Sequence, residues 1–194
     1  MREAEIRRKT KETDIVCKLN IDGKGNSEIS TGVGFFDHML TAFARHGFFD
    51  IYLKCEGDTY VDGHHTVEDC GIVLGQAFYE ALGTKEGIKR YGCFTLPMDE
   101  TLVTCAVDLC GRPYLNFDVN ISVPRLGHYD TEVTKEFFYA FSYSAMMNLH
   151  LKELAGENNH HKIEACFKAF AKAMDEATKY DERVEGSLST KGVI

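Results

Sequence analysis

Apolar and polar residues alternate, or recur with helical spacing, in an ordered series along the first half of the chain. Alternation is typical of strands with one buried face, and Asp22–Asn26 has the composition of a hairpin turn. Spacings of three and four between apolar residues indicate amphipathic helices. We predict strands at 1–10, at 14–21 and through Ile29, a helix at 35–46, a strand at 49–55 and a helix at 66–82.

The second half repeats this order, β-β-β-α-β-α. The predicted elements are strands at 91–98, 101–110 and 113–123, a helix at 132–147, a strand at 148–154 and a helix at 161–178. No low-complexity linker separates the halves, and residues 83–87 are the expected join. We therefore expect a first half at 1–88 and a second half at 89–194, packed as one compact unit with a polar C-terminal tail at 185–194.

The repeat is also visible residue by residue. When residues 64–81 are aligned with 160–177, seven of the 18 positions are identical, including two adjacent histidines and a glutamate. Upstream, residues 35–47 align with 133–145, with their apolar positions in phase, and Glu12 near the N-terminus matches Glu100. The expected fold class is α/β, of the two-layer α+β kind, with internally duplicated halves.

Each half carries one copy of the motif HHxxE. The copies are His64, His65 and Glu68 in the first half, and His160, His161 and Glu164 in the second. Residues three or four apart are neighbours on a helix, so each glutamate can reach the space beside a histidine. Adjacent residues point about 100° apart, so one pair can serve two metal ions, or one ion and a substrate. A lone histidine pair is more often a surface feature, but two matched copies indicate metal binding, and imidazole with carboxylate suits Mn, Fe or Zn.

Two further aligned positions are of metal-ligand type. His38 lies between apolar helix positions and aligns with Glu136, so each half offers one more helix-borne ligand. His46 lies two turns beyond His38 and is a candidate for the same pocket. His150 aligns with Tyr52 in a strand, so the repeat does not make it a ligand.

Composition narrows the class of protein. The chain has 194 residues, 44% of them hydrophobic, which is enough to bury a core. The net charge of −8 argues against nucleic acid as the main partner. No apolar run approaches the roughly 18 residues of a membrane span, and the N-terminus has no apolar signal-peptide core. Seven cysteines without a CxxC motif are typical of free thiols in the cytosol, so a cytoplasmic location is expected.

Some of the scarce cationic residues lie beside glycine or serine. Ammonium, hydroxyl and backbone N–H groups can together bind phosphate there, although each cation alone is more often a solvated surface charge. The candidates for an anion site are Arg90, Arg112, Lys168, Ser189 and Lys191.

Four segments together resemble the imidazoleglycerol-phosphate dehydratase family, and the resemblance covers essentially the whole chain. They are Asp37-His38-Met39-Leu40, the two HHxxE motifs and Ser189-Thr190-Lys191-Gly192. The resemblance implies a fold of the ribosomal protein S5 domain 2 type. It also implies removal of water from imidazole glycerol phosphate to give imidazole acetol phosphate in histidine biosynthesis, with two manganese ions per active site. A closed homo-oligomer of about 24 subunits, with sites shared between subunits, is implied as well.

The resemblance also assigns residues by position. The implied metal ligands are His38, His64, His65, Glu68, His160, His161 and Glu164. The eighth family position is often a histidine before a Phe-Phe pair; here it is Glu136, and His150 is the alternative ligand. Phosphate and substrate contacts are expected from His46, Arg90, Arg112, Lys168, Ser189 and Lys191. Glu12 matches the family's proposed acid/base carboxylate.

Two other functions are compatible with the same residues. A dimetal phosphoesterase would release inorganic phosphate. A non-catalytic, metal-dependent assembly module would need no anion site. The dehydratase differs from both because it must remove a proton from a carbon that has no carbonyl group beside it. This reaction calls for a Lewis-acidic metal at the ring and for a carboxylate that moves protons.

Overall fold

The structure, a computed structural model, describes residues 1–192 and residue 194; residue 193, within the predicted tail 185–194, lies outside the described residues. Strands and helices follow the predicted order, with one additional short hairpin. The first half contains β1 (Glu3–Lys9), β2 (Thr13–Asn20), β3 (Ser27–Ser30), α1 (Gly34–Gly47), β4 (Asp50–Gly57) and α2 (His64–Leu82). The second half contains β5 (Tyr91–Met98), β6 (Thr101–Asp108), β7 (Tyr114–Asp118), β8 (Arg125–Leu126), β9 (Tyr129–Asp130), α3 (Val133–Ser144), β10 (Asn148–Ala155) and α4 (Asn159–Thr178).

The two halves form four-stranded sheets of the same topology. The strand orders are β1-β2-β4-β3 and β5-β6-β10-β7. In each sheet the first two strands form an antiparallel hairpin. The last strand of each half lies between the second strand, to which it is antiparallel, and the third, to which it is parallel. The matching order and direction confirm the α/β fold class with duplicated halves.

The helices join the two halves through one core. Helices α1 and α2 pack on the first sheet, α3 and α4 pack on the second, and the halves meet where α2 contacts α3 and α1 contacts α4. Each helix contributes one fully buried phenylalanine to the centre: Phe43, Phe78, Phe141 and Phe170. Their neighbouring ring centroids lie 5.0–6.2 Å apart. Burying each ring stabilises the fold by roughly 1.5–3 kcal/mol, and the shared core fixes the helices that carry the histidine motifs.

Two glycines let α2 approach α3 closely. A Cβ atom at Gly71 would lie 2.8 Å from the carbonyl oxygen of Phe137, and one at Gly75 would lie 2.6 Å from the carbonyl oxygen of Phe141. A larger residue at either position would therefore push the two helices apart. Glu68 lies one turn before Gly71 and Glu136 directly precedes Phe137, so this contact brings both carboxylates to the same level of the seam.

Two elements end several residues before their predicted boundaries. The strand predicted at 113–123 ends at Asp118, because side chains then take over the backbone donors: Glu153 accepts from the N–H of Asn120, and Asn159 from that of Ser122. The helix predicted at 132–147 ends at Ser144, since Met146 adopts a left-handed conformation with φ 53°. The hairpin of β8 and β9 was not predicted; it turns at Gly127, whose φ is 62°.

Candidate active site

The histidine pairs lie in the first turns of the two longest helices. These helices begin two residues earlier than predicted, at His64 and Asn159. A side chain in each preceding loop accepts the first backbone N–H groups: Asp62 accepts from His64, and Asn158 accepts from His160 and His161. Loop side chains therefore hold both pairs at equivalent open helix ends.

Three side chains from two helices meet in a group that we call the α4 cluster: His38, His160 and Glu164. The Nε2 atoms of His38 and His160 lie 3.6 and 3.0 Å from Oε2 of Glu164. One ligand atom from each residue lies within 4.8 Å of the others. Phe35 packs edge-on against the His160 ring, with centroids 5.1 Å apart, and limits its movement. Two imidazole nitrogens and a carboxylate oxygen thus form one face of a donor set.

Lys168 organises the carboxylate of this cluster. Its Nζ lies 2.6 Å from Oε1 of Glu164, one helical turn away, which leaves Oε2 for the histidines. The Glu164 side chain is only 9% exposed. Burial of the carboxylate raises the pKa of Glu164, but the contacts with Lys168 and His160 outweigh that effect, so the pKa is lowered overall. The glutamate is therefore held ionised, as a metal ligand must be.

We call the repeat counterparts of the three residues of the α4 cluster the α2 cluster: His64 and Glu68 on α2, and Glu136 on α3. The Nε2 atom of His64 lies 3.5 Å from Oε2 of Glu68. Glu136 and Glu68 both act on Tyr139, whose pKa is raised first by its hydrogen bond with Tyr143, then by burial and by neighbouring negative charges. In the described part of the chain, the α4 cluster is the group whose ligand atoms already converge. The α2 cluster has one histidine and two glutamates, where the α4 cluster has two histidines and one glutamate.

His65 lies between two carboxylates. Its Nδ1 is 3.0 Å from Oδ2 of Asp58, and its Nε2 is 3.8 Å from Oε1 of Glu12. The hydrogen bond with Asp58 is the main cause that raises the pKa of His65. The backbone N–H of Asp58 donates to the carbonyl of Glu12 over 3.0 Å, which ties the β1–β2 turn to the start of α2. Glu12, with its side chain 52% exposed, thus stands beside a histidine motif although it is distant in sequence.

His161 has a similar pair of acidic neighbours. Its Nδ1 lies 2.9 Å from Oε2 of Glu100, and its Nε2 lies 3.9 Å from Oδ2 of Asp99. Oε1 of Glu100 accepts from the backbone N–H of Asn158 at 2.8 Å and from the hydroxyl of Thr101 at 3.0 Å. The bond from Asn158, followed by that from His161, holds the pKa of Glu100 well below its ordinary value.

The two remaining histidine candidates differ in position. His46 lies on α1 beside α4, where burial and then the charges of Lys168 and Lys172 lower its pKa. It therefore lies next to the residue that holds Glu164. His150 is exposed on β10 between the buried Leu149 and Leu151, and its ring packs on that of Tyr114 on the neighbouring strand. Its side chain is thus on the sheet face opposite the helices, away from the two clusters of this chain.

The candidate anion-binding residues fall into two groups. Arg90 donates to Asp108 at 2.7 Å and to the carbonyl of Leu188 at 2.7 Å, so it anchors the tail that contains Ser189 and Lys191. Arg112 is exposed in the turn before β7, next to Gly111, against which Ile194 lies. Lys168 belongs to the α4 cluster instead. The structure therefore places Arg90 in contact with the tail, and it places Lys168 away from Arg90 and from the tail.

A cleft of about 870 Å³ connects the starts of α2 and α4. It is lined by residues 32–35, the loop around Gly63, the β8–β9 hairpin and His160. The hairpin that the sequence did not predict thus forms one wall beside the α4 cluster. Tyr129 within it is buried, and its hydroxyl is 2.9 Å from that of Thr134.

The α4 cluster and the tail lie at opposite ends of α4. The backbone N–H of Arg90 donates to the carbonyl of Ala177, near the C-terminal end of the helix. His160 lies in its first turn. At a rise of 1.5 Å per residue, these positions are about 26 Å apart along the helix. A small molecule cannot contact both groups of one chain.

Sequence reasoning overlooked three carboxylates beside the histidine pairs. The sequence pattern assigns no role to Asp58 or Asp99, and it marks Glu100 only as the repeat counterpart of Glu12. The loop between β4 and α2 offered a signal for Asp58, because it carries two aspartates, Asp58 and Asp62, close to the motif. Only the folded chain shows which of them reaches a ring nitrogen.

None of the helices in the described part of the chain is both long enough and apolar enough to cross a membrane. The fold and the site define an internally duplicated α/β protein that carries paired imidazole–carboxylate clusters at equivalent helix starts.

Comparison with known proteins shows the family. The family model described as imidazoleglycerol-phosphate dehydratase matches residues 31–174. Proteins of that name from Lachnoclostridium phytofermentans and Acetivibrio thermocellus are 64% and 57% identical to this chain; the matches cover 100% of the chain and 98% and 99% of those relatives. The chain belongs to the imidazoleglycerol-phosphate dehydratase family, whose members are hydro-lyases of histidine biosynthesis.

Solved structures agree with this assignment. Imidazoleglycerol-phosphate dehydratase from Staphylococcus aureus aligns with a TM-score of 0.84 at 38% identity, over 92% of this chain and 99% of that one. The protein named IGPD from Pyrococcus furiosus gives a TM-score of 0.84 at 40% identity, over 97% and 100%. The family expected from the motifs is therefore confirmed.

Proposed function

We propose that this chain removes water from imidazole glycerol phosphate to give imidazole acetol phosphate, using two Mn²⁺ ions per active site. The convergence of His38, His160 and Glu164 carries the proposal. Nitrogen and oxygen atoms bound to one ion at about 2.1 Å lie about 3–4 Å apart, close to the 3.0 and 3.6 Å separations in the cluster. A mixed nitrogen and oxygen donor set with an open side suits a catalytic metal.

Eight residues would hold the two ions. They are His38, His160 and Glu164 in the α4 cluster, His64, Glu68 and Glu136 in the α2 cluster, and the second histidines His65 and His161. When bound, manganese would supply a Lewis acid and a template for the imidazole ring. At one matched pair of repeat positions, one site has the imidazole of His38 and the other has the carboxylate of Glu136. The two metal sites are therefore related but not identical.

Glu12 would move the protons on the substrate side chain. Its carboxylate lies beside His65 without a short contact to either ring nitrogen, so it can reach a substrate held at the histidines. Removing water requires a proton for the departing hydroxyl and loss of a proton from the next carbon. A half-exposed carboxylate outside the metal clusters is a suitable carrier for both.

Arg90, Arg112, Ser189 and Lys191 would bind the phosphate. Arg90 fixes the tail through the carbonyl of Leu188, and the backbone N–H of Lys191 turns back toward the hydroxyl of Ser189 at 3.2 Å. Charge-assisted hydrogen bonds from such groups contribute roughly 1.5–3 kcal/mol each to binding. Lys168 and His46, which lie at the α4 cluster, would act at the ring end of the substrate.

The separation of about 26 Å along α4 supports a site shared between subunits. A substrate with only three carbons between its ring and its phosphate needs the metal cluster of one subunit and the tail of another. Repeated contacts of this head-to-tail kind close into a shell, and we propose a homo-oligomer of about 24 subunits in the cytoplasm.

Subunit complementation tests the shared site. One variant, His160→Ala, lacks a metal ligand; the other, Arg112→Ala with Lys191→Ala, lacks phosphate contacts. Each is expected to have little activity alone at low substrate concentration. After dissociation with a chelator, mixing in equal amounts and addition of Mn²⁺, about a quarter of the sites should combine two intact contributions and regain wild-type activity.

The matched control mixes each variant with itself through the same cycle. It should show no recovery, because no intact combination can form. If the mixed sample also shows no recovery although it reassembles, metal and phosphate residues of a single chain act together and the shared site is wrong.

A further inference from the structure

The two halves hold their second histidines by the same atom but with different carboxylates. His161 contacts Glu100 through Nδ1 at 2.9 Å, and His65 contacts Asp58 through Nδ1 at 3.0 Å. Glu100 is the repeat counterpart of Glu12, not of Asp58. The same task is therefore performed by non-equivalent residues.

Turn length accounts for the difference. In the second half, the paired residues Met98 and Thr101 are separated by two residues, and the second of them, Glu100, turns its side chain toward the start of α4. In the first half, Lys9 and Asp14 are paired, so four residues intervene. The longer turn leaves the Glu12 carboxylate 3.8 Å from Nε2 of His65, on the outer side of the ring.

The hydrogen position at each Nδ1 follows from the partner. An ionised carboxylate can only accept a hydrogen bond, so the imidazole nitrogen that contacts it must carry the proton. Oε1 of Glu100 already accepts from the backbone N–H of Asn158 and from the hydroxyl of Thr101, and Oε2 faces Nδ1 of His161. A neutral imidazole has one N–H, so Nε2 keeps its lone pair.

We propose that Glu100 and Asp58 are positioning residues that fix His161 and His65 as Nδ1–H tautomers with Nε2 directed outward, and that Asp58 thereby leaves Glu12 unengaged. Carboxylates that accept from a ligating imidazole orient the ring and raise its basicity. The proposal rests on the proposed metal site. It adds separate roles for the acidic residues: Glu100 and Asp58 orient the histidines, and Glu12 faces the substrate.

Glu100→Gln separates the positioning role from a structural one. The glutamine oxygen can still accept from the N–H of Asn158 and so keep the turn anchored. Its NH₂ group then faces Nδ1 of His161 and can only donate. The proton of His161 is expected to move to Nε2, which removes the lone pair needed by a metal.

The first measurement uses the metal-free full chain with ¹⁵N-labelled histidine, studied by solid-state NMR so that particle size does not matter. At about pH 9, where ordinary histidine is neutral, wild-type His161 and His65 should both show an unprotonated Nε2. In Glu100→Gln, His161 should show a protonated Nε2 while His65 is unchanged. In Asp58→Ala, only His65 should lose its single tautomer.

The second measurement is Mn²⁺ titration of the same proteins. Glu100→Gln should raise the Kd of the affected site about 10- to 100-fold, and saturating Mn²⁺ should restore much of the turnover. Glu12→Gln is the matched control, a glutamate beside the other histidine, and should leave the Kd and both tautomers unchanged.

An unchanged His161 tautomer or an unchanged Kd in folded Glu100→Gln would overturn the proposal, as would an unchanged His65 in Asp58→Ala. If wild-type protein binds no Mn²⁺, the proposed metal site fails, while the tautomers measured without metal still test the positioning role. The two failures are therefore distinguishable.

Discussion

Glu12→Gln is expected to lower kcat about 10²- to 10⁴-fold, the usual loss when a general acid–base is removed. The change keeps the shape of the side chain and removes its ability to exchange a proton. Glu12 is exposed and its side chain makes no short contact with His65, so folding, Mn²⁺ content and particle size should remain those of the wild type. Steady-state kinetics with metal analysis on the same sample measures this.

Glu28→Gln is a suitable control, because Glu28 is an exposed carboxylate on β3, outside both clusters. It should leave kcat near the wild-type value. A Glu12→Gln enzyme that is fully loaded with metal and keeps more than about a tenth of wild-type turnover would assign the proton carrier to another residue.

Removal of the metal is expected to abolish activity and to break the particle into smaller oligomers. Loss of a Lewis acid costs several kcal/mol in the transition state, so turnover should fall by about 10³-fold or more. The family resemblance implies sites shared between subunits, and an ion at such a site would also link the subunits. Chelation, or His64→Ala combined with His160→Ala, should therefore reduce both kcat and the sedimentation coefficient.

His150→Ala provides the matched control for the histidine variants, since His150 is exposed on the sheet face opposite the helices. This variant should change neither kcat nor the sedimentation coefficient. Analytical ultracentrifugation of metal-free protein gives the decisive observation: an unchanged large particle would show that subunit contacts, not metal ions, hold the assembly.

The duplicated fold was predictable because each sequence pattern that indicates a strand, a helix or a metal ligand occurs once in each half. Apolar periodicity defined the helices, and the paired HHxxE motifs fixed their alignment, so the residues of the α4 cluster were identified before any distance was known. Lys168 was expected as an anion-binding residue, and the structure places its Nζ 2.6 Å from Glu164, its i,i+4 neighbour on α4.

Features that depend on turn geometry were not predictable. Glu12 and Glu100 occupy equivalent positions in the alignment, yet a difference in turn length gives them different partners. The repeat alignment contains nothing that predicts a role for Asp58. Strand β7 ends early because Glu153 and Asn159, distant in sequence, satisfy the following backbone donors.

The grouping of the cations also depended on the fold. Arg90, Lys168 and Lys191 looked alike as charges beside suitable neighbours. The length of α4 separates Lys168 from the other two, and that separation is the physical basis for a site shared between subunits.

Product analysis tests the central claim most directly. The purified chain is incubated with Mn²⁺ and imidazole glycerol phosphate, and the sample is assayed in parallel for ketone and for inorganic phosphate. We expect imidazole acetol phosphate to form with the phosphate ester intact, and Glu12→Gln to form it at least about a hundredfold more slowly. Release of inorganic phosphate without ketone, or no reaction by metal-loaded protein, would contradict the assignment as a dehydratase.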